Sequence, residues 1–160
     1  MASNIFAKIG DIKGESLDSN HKDEIELLSW SWGVTQSGSM AHGGGGGQGK
    51  ASFHDFTFTN HVDKASPVLM KTCATGEHIK EATITVRKAG QGQKDFLIIK
   101  MSDVIVTSVA SSVDGEGAAT AESVALEFAK VDLEYKPQKP DGSLDVGLHF
   151  KYDIKANKEG

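Results

Sequence analysis

The sequence predicts a mainly β fold, a two-sheet β-barrel or sandwich with one short α-helix. Three observations carry this. Apolar and polar residues alternate in short segments along nearly the whole chain of 160 residues. Only one segment, between Ser66 and Gly76, has both start and stop signals of a helix. The apolar share, 38%, supplies a core without any run long enough to cross a membrane as a helix.

In chain order, Asn4 to Ile9 reads as a strand with Ile5, Ala7 and Ile9 on one face. Gly10 to His21 is polar, rich in turn formers, and reads as a loop. A long strand follows. Its parity shifts from Ile25 and Leu27 to Leu28, Trp30 and Trp32, which predicts a bulge near Leu27. Ala51 to Asn60 alternates Phe56 and Phe58 with Thr57 and Thr59, a strand pattern. Ser66 is placed to cap a helix, Pro67 suits its first position, and Gly76 suits the left-handed residue that ends it. Leu69, Met70 and Cys73 share one face of that helix.

Everything after Gly76 reads as β-structure. Ala82, Ile84 and Val86 alternate with Thr83, Thr85 and Arg87, and Ala89-Gly90-Gln91-Gly92 reads as a hairpin turn. Phe96 to Ile99 is a buried run, continued by Val104 to Val109 after a break at Ser102-Asp103. Ser111 to Ala121 reads as a loop. Val124, Leu126 and Phe128 give way to Val131, Leu133 and Tyr135, so a second bulge is predicted near Ala129. Pro137 to Ser143 is a turn, and Val146, Leu148, Phe150, Tyr152 and Ile154 close the chain as a last, strictly alternating strand. The total is seven or eight strands in a single domain over residues 1–160, with no internal repeat.

The stretch from Glu24 to Lys50 is the most unusual. In its strand, Leu28, Trp30, Trp32 and Val34 fall on one face, and Ser29, Ser31, Gly33 and Thr35 on the other. The first face packs on a core and the second, small and polar, meets something wet. The strand feeds Ser37-Gly38-Ser39 and five glycines, Gly43 to Gly47. Glycine loses the most backbone entropy on ordering, so this arm is expected to order only against a partner.

Composition excludes several classes. A net charge of -5 without a basic cluster argues against a nucleic-acid partner. One cysteine, Cys73, permits no internal disulfide and suits a reducing compartment. No signal peptide and no transmembrane helix are expected, so export by the general secretory route and membrane insertion are not predicted.

The motifs with a chemical reading are weak. Gly44 to Lys50 fits the first seven positions of a phosphate-binding loop, but Ala51 stands where the magnesium-binding Ser or Thr belongs, and a strand pattern follows where a helix is required. His54, Asp55, His61 and Asp63 match no zinc spacing, and His54 and Asp55 point to opposite faces of a strand. Cys73 reads as a small core residue. Trp30 and Trp32 are the size and shape to stack a sugar, but read better as core anchors. No catalytic residue, cofactor site or metal site is predicted.

Seven segments together carry a resemblance. They are KIGDIKGES (Lys8–Ser16), HKDEIELLSWSWG (His21–Gly33), the glycine arm to Gly49-Lys50, and DKASPVL (Asp63–Leu69). RKAG (Arg87–Gly90), TAESVALEF (Thr120–Phe128) and YKPQKPDGS (Tyr135–Ser143) complete the set. In this order they resemble the haemolysin-coregulated protein (Hcp) family of bacterial type VI secretion. The resemblance implies a structural subunit, not an enzyme. Six copies would form a homohexameric ring, and rings would stack into a tube that a sheath expels, together with spike and baseplate proteins. Small effector proteins would ride in the ring lumen. The same resemblance makes Ser29, Ser31 and Gly33 candidates for the lumen face. It makes Gln36, Ser37, Gly38, Ser39, Met40, His42, Gly43, Gly44, Gly45, Gly46, Gly47 and Gly49 a contact loop between rings or subunits. The protein would reside in the bacterial cytoplasm before firing and outside the cell afterwards.

Overall fold

The computed structural model describes residues 4–38, 51–88, 94–116 and 120–160. Among them are eleven strands and one helix: β1 (Ile5–Ile9), β2 (Ile25–Glu26), β3 (Ser29–Ser31), β4 (Val34–Thr35), β5 (Ser52–Phe53), β6 (Phe56–Asn60), α1 (Ser66–Thr75), β7 (His78–Arg87), β8 (Asp95–Val113), β9 (Thr120–Tyr135), β10 (Leu148–Asp153) and β11 (Lys158–Glu159). Nine strands form one sheet in the order β11-β10-β9-β8-β7-β1-β2, with β6 and then β3 added onto β9. β4 and β5 form a separate ribbon. The mainly β, two-sheet, one-helix expectation holds. The barrel does not: among the described residues the large sheet keeps free edges and does not close.

β8 and β9 make this arrangement possible. The predicted break at Ser102-Asp103 is a distortion inside one 19-residue strand, not an end. Asp103 takes a left-handed φ of 55°, which Asp tolerates better than most residues. It falls opposite Ala129, where the predicted parity shift of β9 occurs, between the pairs Ser102↔Lys130 and Val104↔Phe128. Because both strands shift at one point, their pairing survives while their buried face changes from odd to even positions. Ile99, Met101 and Val131 on one side and Val104, Val106, Val124 and Leu126 on the other then belong to one core. The predicted loop is also shorter than expected, since Ser111–Val113 pair with Thr120–Glu122.

Two expected strands are interrupted. Leu27 donates its N–H to Ile5 of β1 at 2.9 Å, and the next residue, Leu28, donates to Thr59 of β6 at 2.8 Å. The predicted bulge is thus a change of partner. Leu27 takes the core position, and Leu28 and Val34, expected on the core face, are exposed. Ala51–Asn60 is likewise split into β5 and β6. In α1 the cap is Ala65 rather than Ser66, and Met70 is exposed rather than buried with Leu69. Ser66 instead accepts the N–H of Asp63 at 3.0 Å, while Asp63 accepts that of Ala65 at 2.8 Å. Gly76 ends the helix at φ 67° as predicted. The last predicted strand starts later than expected, at Leu148, and Val146, Leu148 and Phe150 are exposed.

The loop between β1 and β2 is pinned to the outside of the sheet. Gly14 has no room for a side chain, because a Cβ would lie 2.5 Å from the Glu24 carbonyl oxygen. Phe6, buried on the outer face, is sandwiched. Arg87 sits over its ring at 4.8 Å and His21 stacks on it with centroids 4.4 Å apart. Arg87 pairs with Asp18 at 2.6 Å. His21 meets Glu24 at 3.0 Å and Asp95 at 3.3 Å.

Burial pushes the Asp18 carboxyl up, but the bond from Arg87, the Asn20 N–H and the charges of Arg87 and His21 outweigh it, so the group titrates below its ordinary value. A lowered folded value stabilises the fold above the ordinary value of 3.8 and stops doing so as pH falls through the lower folded one. Asp18→Asn is therefore predicted to lower Tm at neutral pH, with the gap to the parent closing in acid. Thermal melts across pH check this; a gap that stays constant into acid would remove the Arg87 pairing as its cause.

Candidate functional site

Four adjacent strands, β3, β6, β9 and β8, carry two complete rungs of small side chains. One rung is Ser29, Thr59, Ser123 and Ala110; the other is Ser31, Thr57, Ala125 and Ser108. Directly paired residues point to the same side of a sheet, so all eight line one face. Ser29 and Ser31 are exposed there. The Ser29 and Thr59 hydroxyls bond each other at 2.6 Å. At the end of the wall towards β5, Thr107 donates to Asp55 at 2.7 Å. Hydroxyls and methyls leave this surface flat and wettable, with donors and acceptors but little bulk.

The rung between these two points the other way: Trp30, Phe58, Val124 and Val109. Phe58 and Val124 are fully buried. Trp30 stacks on Phe56 with centroids 5.3 Å apart and planes 20° apart. Trp32 stacks on Phe53 at 6.1 Å and tilts against Phe128 at 5.8 Å. Both indoles are half-buried against the core, which agrees with the anchor reading and not with a sugar platform. The indole Nε1 of Trp32 is buried without an acceptor among the described residues.

A buried polar knot holds the wall to the helix. Glu122 on β9 accepts bonds from Asn60 at 3.2 Å, Ser66 at 3.1 Å and Ser111 at 3.2 Å. β6, α1, β8 and β9 meet at this one carboxylate, which offers enough acceptor sites for three donors. Burial pushes the nearby Asp63 carboxyl up, and the charges of Glu15 and Glu122 add to this against the Ala65 N–H. Sequence reasoning missed this knot, because its members are scattered and show no periodic signal.

Of the predicted site residues, Ser29 and Ser31 stand on the wall. Gly33 lies past the end of β3, half-buried, and a Cβ there would touch the His54 ring at 3.4 Å. Gln36, Ser37 and Gly38 follow β4 and are exposed, Gln36 accepting the Ser37 N–H at 3.0 Å. Ser39, Met40, His42, Gly43 to Gly47 and Gly49 lie outside the described residues, as does the Ala89–Gly92 turn. Sequence reasoning did not single out the wall partners Thr57, Thr59, Ser108, Ala110, Ser123 and Ala125. The Thr57/Thr59 and Ser123/Ala125 alternation was the available signal. After Ala51 the chain enters strand β5, so the helix that a phosphate-binding loop needs is not there. Among the described residues no three His, Cys, Asp or Glu side chains gather as metal ligands.

A family model described as "Type VI secretion system effector, Hcp" matches residues 6–135. The chain is 46% identical over 159 residues to Protein hcp1 of Pseudomonas aeruginosa, covering 98% of each. The crystal structure of Hcp1 from Salmonella typhimurium is similar at TM-score 0.80 and 42% identity, with 99% of both chains covered. A structure described as that of a type six secretion system protein is similar at TM-score 0.92 and 26% identity, covering 99% of this chain and 100% of that one.

Trp32→Ala is predicted to cost about 3 kcal/mol, the low end for aromatic truncation, because the indole is half-buried. Denaturant unfolding measures it; an unchanged midpoint would mean that Trp32 does not anchor the wall.

Proposed function

This chain belongs to the Hcp family of type VI secretion proteins, and on that premise we propose that it forms a homohexameric ring whose lumen is lined by the Ser29/Ser31 wall. One observation carries this reading: the small-residue wall has two open edges. β3 pairs only with β6, and β8 beyond Ile105 pairs only with β9 among the described residues. A sheet with two unpaired edges is open to association. A head-to-tail ring sets the β3 edge of one copy beside the β8 edge of the next and closes every such edge at once. The wall then becomes the inside of a continuous channel.

Rings of this kind stack into the tube that a sheath expels, with spike and baseplate proteins as further partners. The segment from Gln36 to Gly49 contacts the next ring or the neighbouring subunit. Small effector proteins occupy the lumen, held by serine and threonine hydroxyls, while the absence of bulk leaves them room. Ser31 and Ser29 are the first residues of this contact; Gly33 contributes backbone at its margin. The role is structural, with no reaction to catalyse. The chain resides in the cytoplasm until secretion. No helix among the described residues is long and apolar enough to cross a membrane.

Native mass spectrometry at micromolar concentration is predicted to show six copies; monomer alone would overturn the ring. Ser31→Gln puts a longer amide on every copy of the wall. It is predicted to leave the ring and its Tm unchanged while proteins that co-purify with the ring from secreting cells are lost. A loss of about 1–3 kcal/mol in stability would instead mean that Ser31 packs inside a core. A stable ring that keeps its cargo would also refute the assignment.

A further inference from the structure

The two rungs of the wall differ in what their hydroxyls do. In the first, the Ser29 and Thr59 hydroxyls bond each other at 2.6 Å, and Ala110 offers only a methyl. Ser123 is left as the free hydroxyl of that rung among the described residues. In the second rung, the hydroxyls of Ser31, Thr57 and Ser108 all make no hydrogen bond among the described residues. Ser31 and Ser108 are exposed and Thr57 is half-buried. Three free hydroxyls on β3, β6 and β8 can each donate and accept.

Charge enters at the next rung, on the side of the free hydroxyls. One step beyond Phe56↔Leu126 the register brings Asp55 opposite Glu127. Glu127 pairs in turn with Ile105, which pairs with His78. Asp55 and Glu127 are both exposed. The Thr107 hydroxyl lies 2.7 Å from Asp55 and 3.2 Å from the Ala125 carbonyl, which fixes the Asp55 side chain over the end of the wall. Neither carboxylate has an ion-pair partner among the described residues. No lysine or arginine stands in any of the three rungs. Like charges directly opposite on neighbouring strands weaken a sheet. The fold thus carries a repulsion that does nothing for its stability, and carries it beside the rung whose hydroxyls are free.

We propose that Ser31, Thr57, Ser108, Asp55 and Glu127 form one recognition row, and that the cargo it takes is a protein surface presenting lysine or arginine side chains. The inference rests on the lumen reading above and adds its chemistry. The two carboxylates accept from an ammonium or guanidinium group, and the free hydroxyls bond the polar groups beside it. Repeated in every copy of the ring, the row becomes a belt of negative charge facing the bore. A concave surface lined by one sign of charge concentrates partners of the other sign. One exposed pair contributes little by itself, and repetition around the ring is what makes the contact count. An acidic cargo is repelled by the same belt, so the wall selects by sign as well as by size.

The test titrates the full chain into a short fluorescent peptide of alternating arginine and serine, read by anisotropy at low salt. A glutamate–serine peptide is its counterpart, and native mass spectrometry verifies the ring in every sample. The parent ring is predicted to bind the arginine peptide and not the glutamate one. Asp55→Asn combined with Glu127→Gln keeps an oxygen for Thr107. That variant is predicted to form the ring, to hold or raise its Tm, and to bind the arginine peptide about tenfold more weakly. Thr57→Val, which removes a hydroxyl at nearly constant shape, weakens binding too. Thr59→Val, and Glu26→Gln on the outer face opposite Phe6, match the parent. If the charge variant binds as tightly as the parent, or the parent binds both peptides alike, the recognition row is wrong while the ring stands. A lowered Tm in the charge variant would mean that the pair serves the fold instead. A monomeric parent overturns the lumen reading and this proposal together.

Discussion

The fold depends on a single constraint: β8 and β9 must remain paired while their buried faces change over. A strand whose parity slips alone must leave a residue unpaired in a bulge, as β8 does at Thr107 between Val106 and Ser108, or turn its apolar side to water. Here both slip together, at Asp103 and Ala129, so the ladder continues and the core simply moves to the other set of positions. That shared distortion lets one hairpin serve two layers. β7 and β1 extend the sheet at one end, β6 and β3 build the small-residue wall at the other, and β10 grows beside β6 along the same edge of β9. Glu122 then ties the wall end to the helix through three donors.

The wall follows from alternation once the anchors are placed. Trp30, Phe58, Val124 and Val109 commit their rung to the core, where apolar burial contributes about 25 cal/mol per Å². The neighbouring rungs have no choice but to face outward. Their being serine, threonine and alanine across four strands, rather than lysine or glutamate, distinguishes this surface from the outside of the same molecule, where Lys8, Thr83, Lys100, Asp132 and Lys151 follow one another. One surface is charged and rough, the other neutral and smooth. A tube needs that difference between its exterior and its bore.

Local patterns made most of the elements legible. Alternation identified β1, β6, β7 and β9, and the Pro67 and Gly76 signals bounded the helix. The Trp30/Trp32 pattern was enough to put Ser29 and Ser31 on an open face. What was not legible is non-local. Leu27 and Leu28 are alike in chemistry, and only the change of partner from β1 to β6 decides that Leu27 is buried. Asp103 read as an end because a left-handed residue inside a strand has no periodic signature. Leu148 and Phe150 alternate like core residues, yet both are exposed among the described residues. Gly33 was placed by the same alternation, but β3 ends at Ser31, so its position next to the His54 ring follows from the turn after the strand.

Everything proposed for the assembly requires the Ser31 face to be its inside and the Lys100 face its outside. Spin labels placed at Ser31→Cys or at Lys100→Cys, each in a Cys73→Ser background, measure this directly by dipolar distances between copies. Neighbouring labels in the assembled ring are predicted to lie closer together at position 31 than at position 100. Equal distances, or shorter ones at position 100, would contradict it.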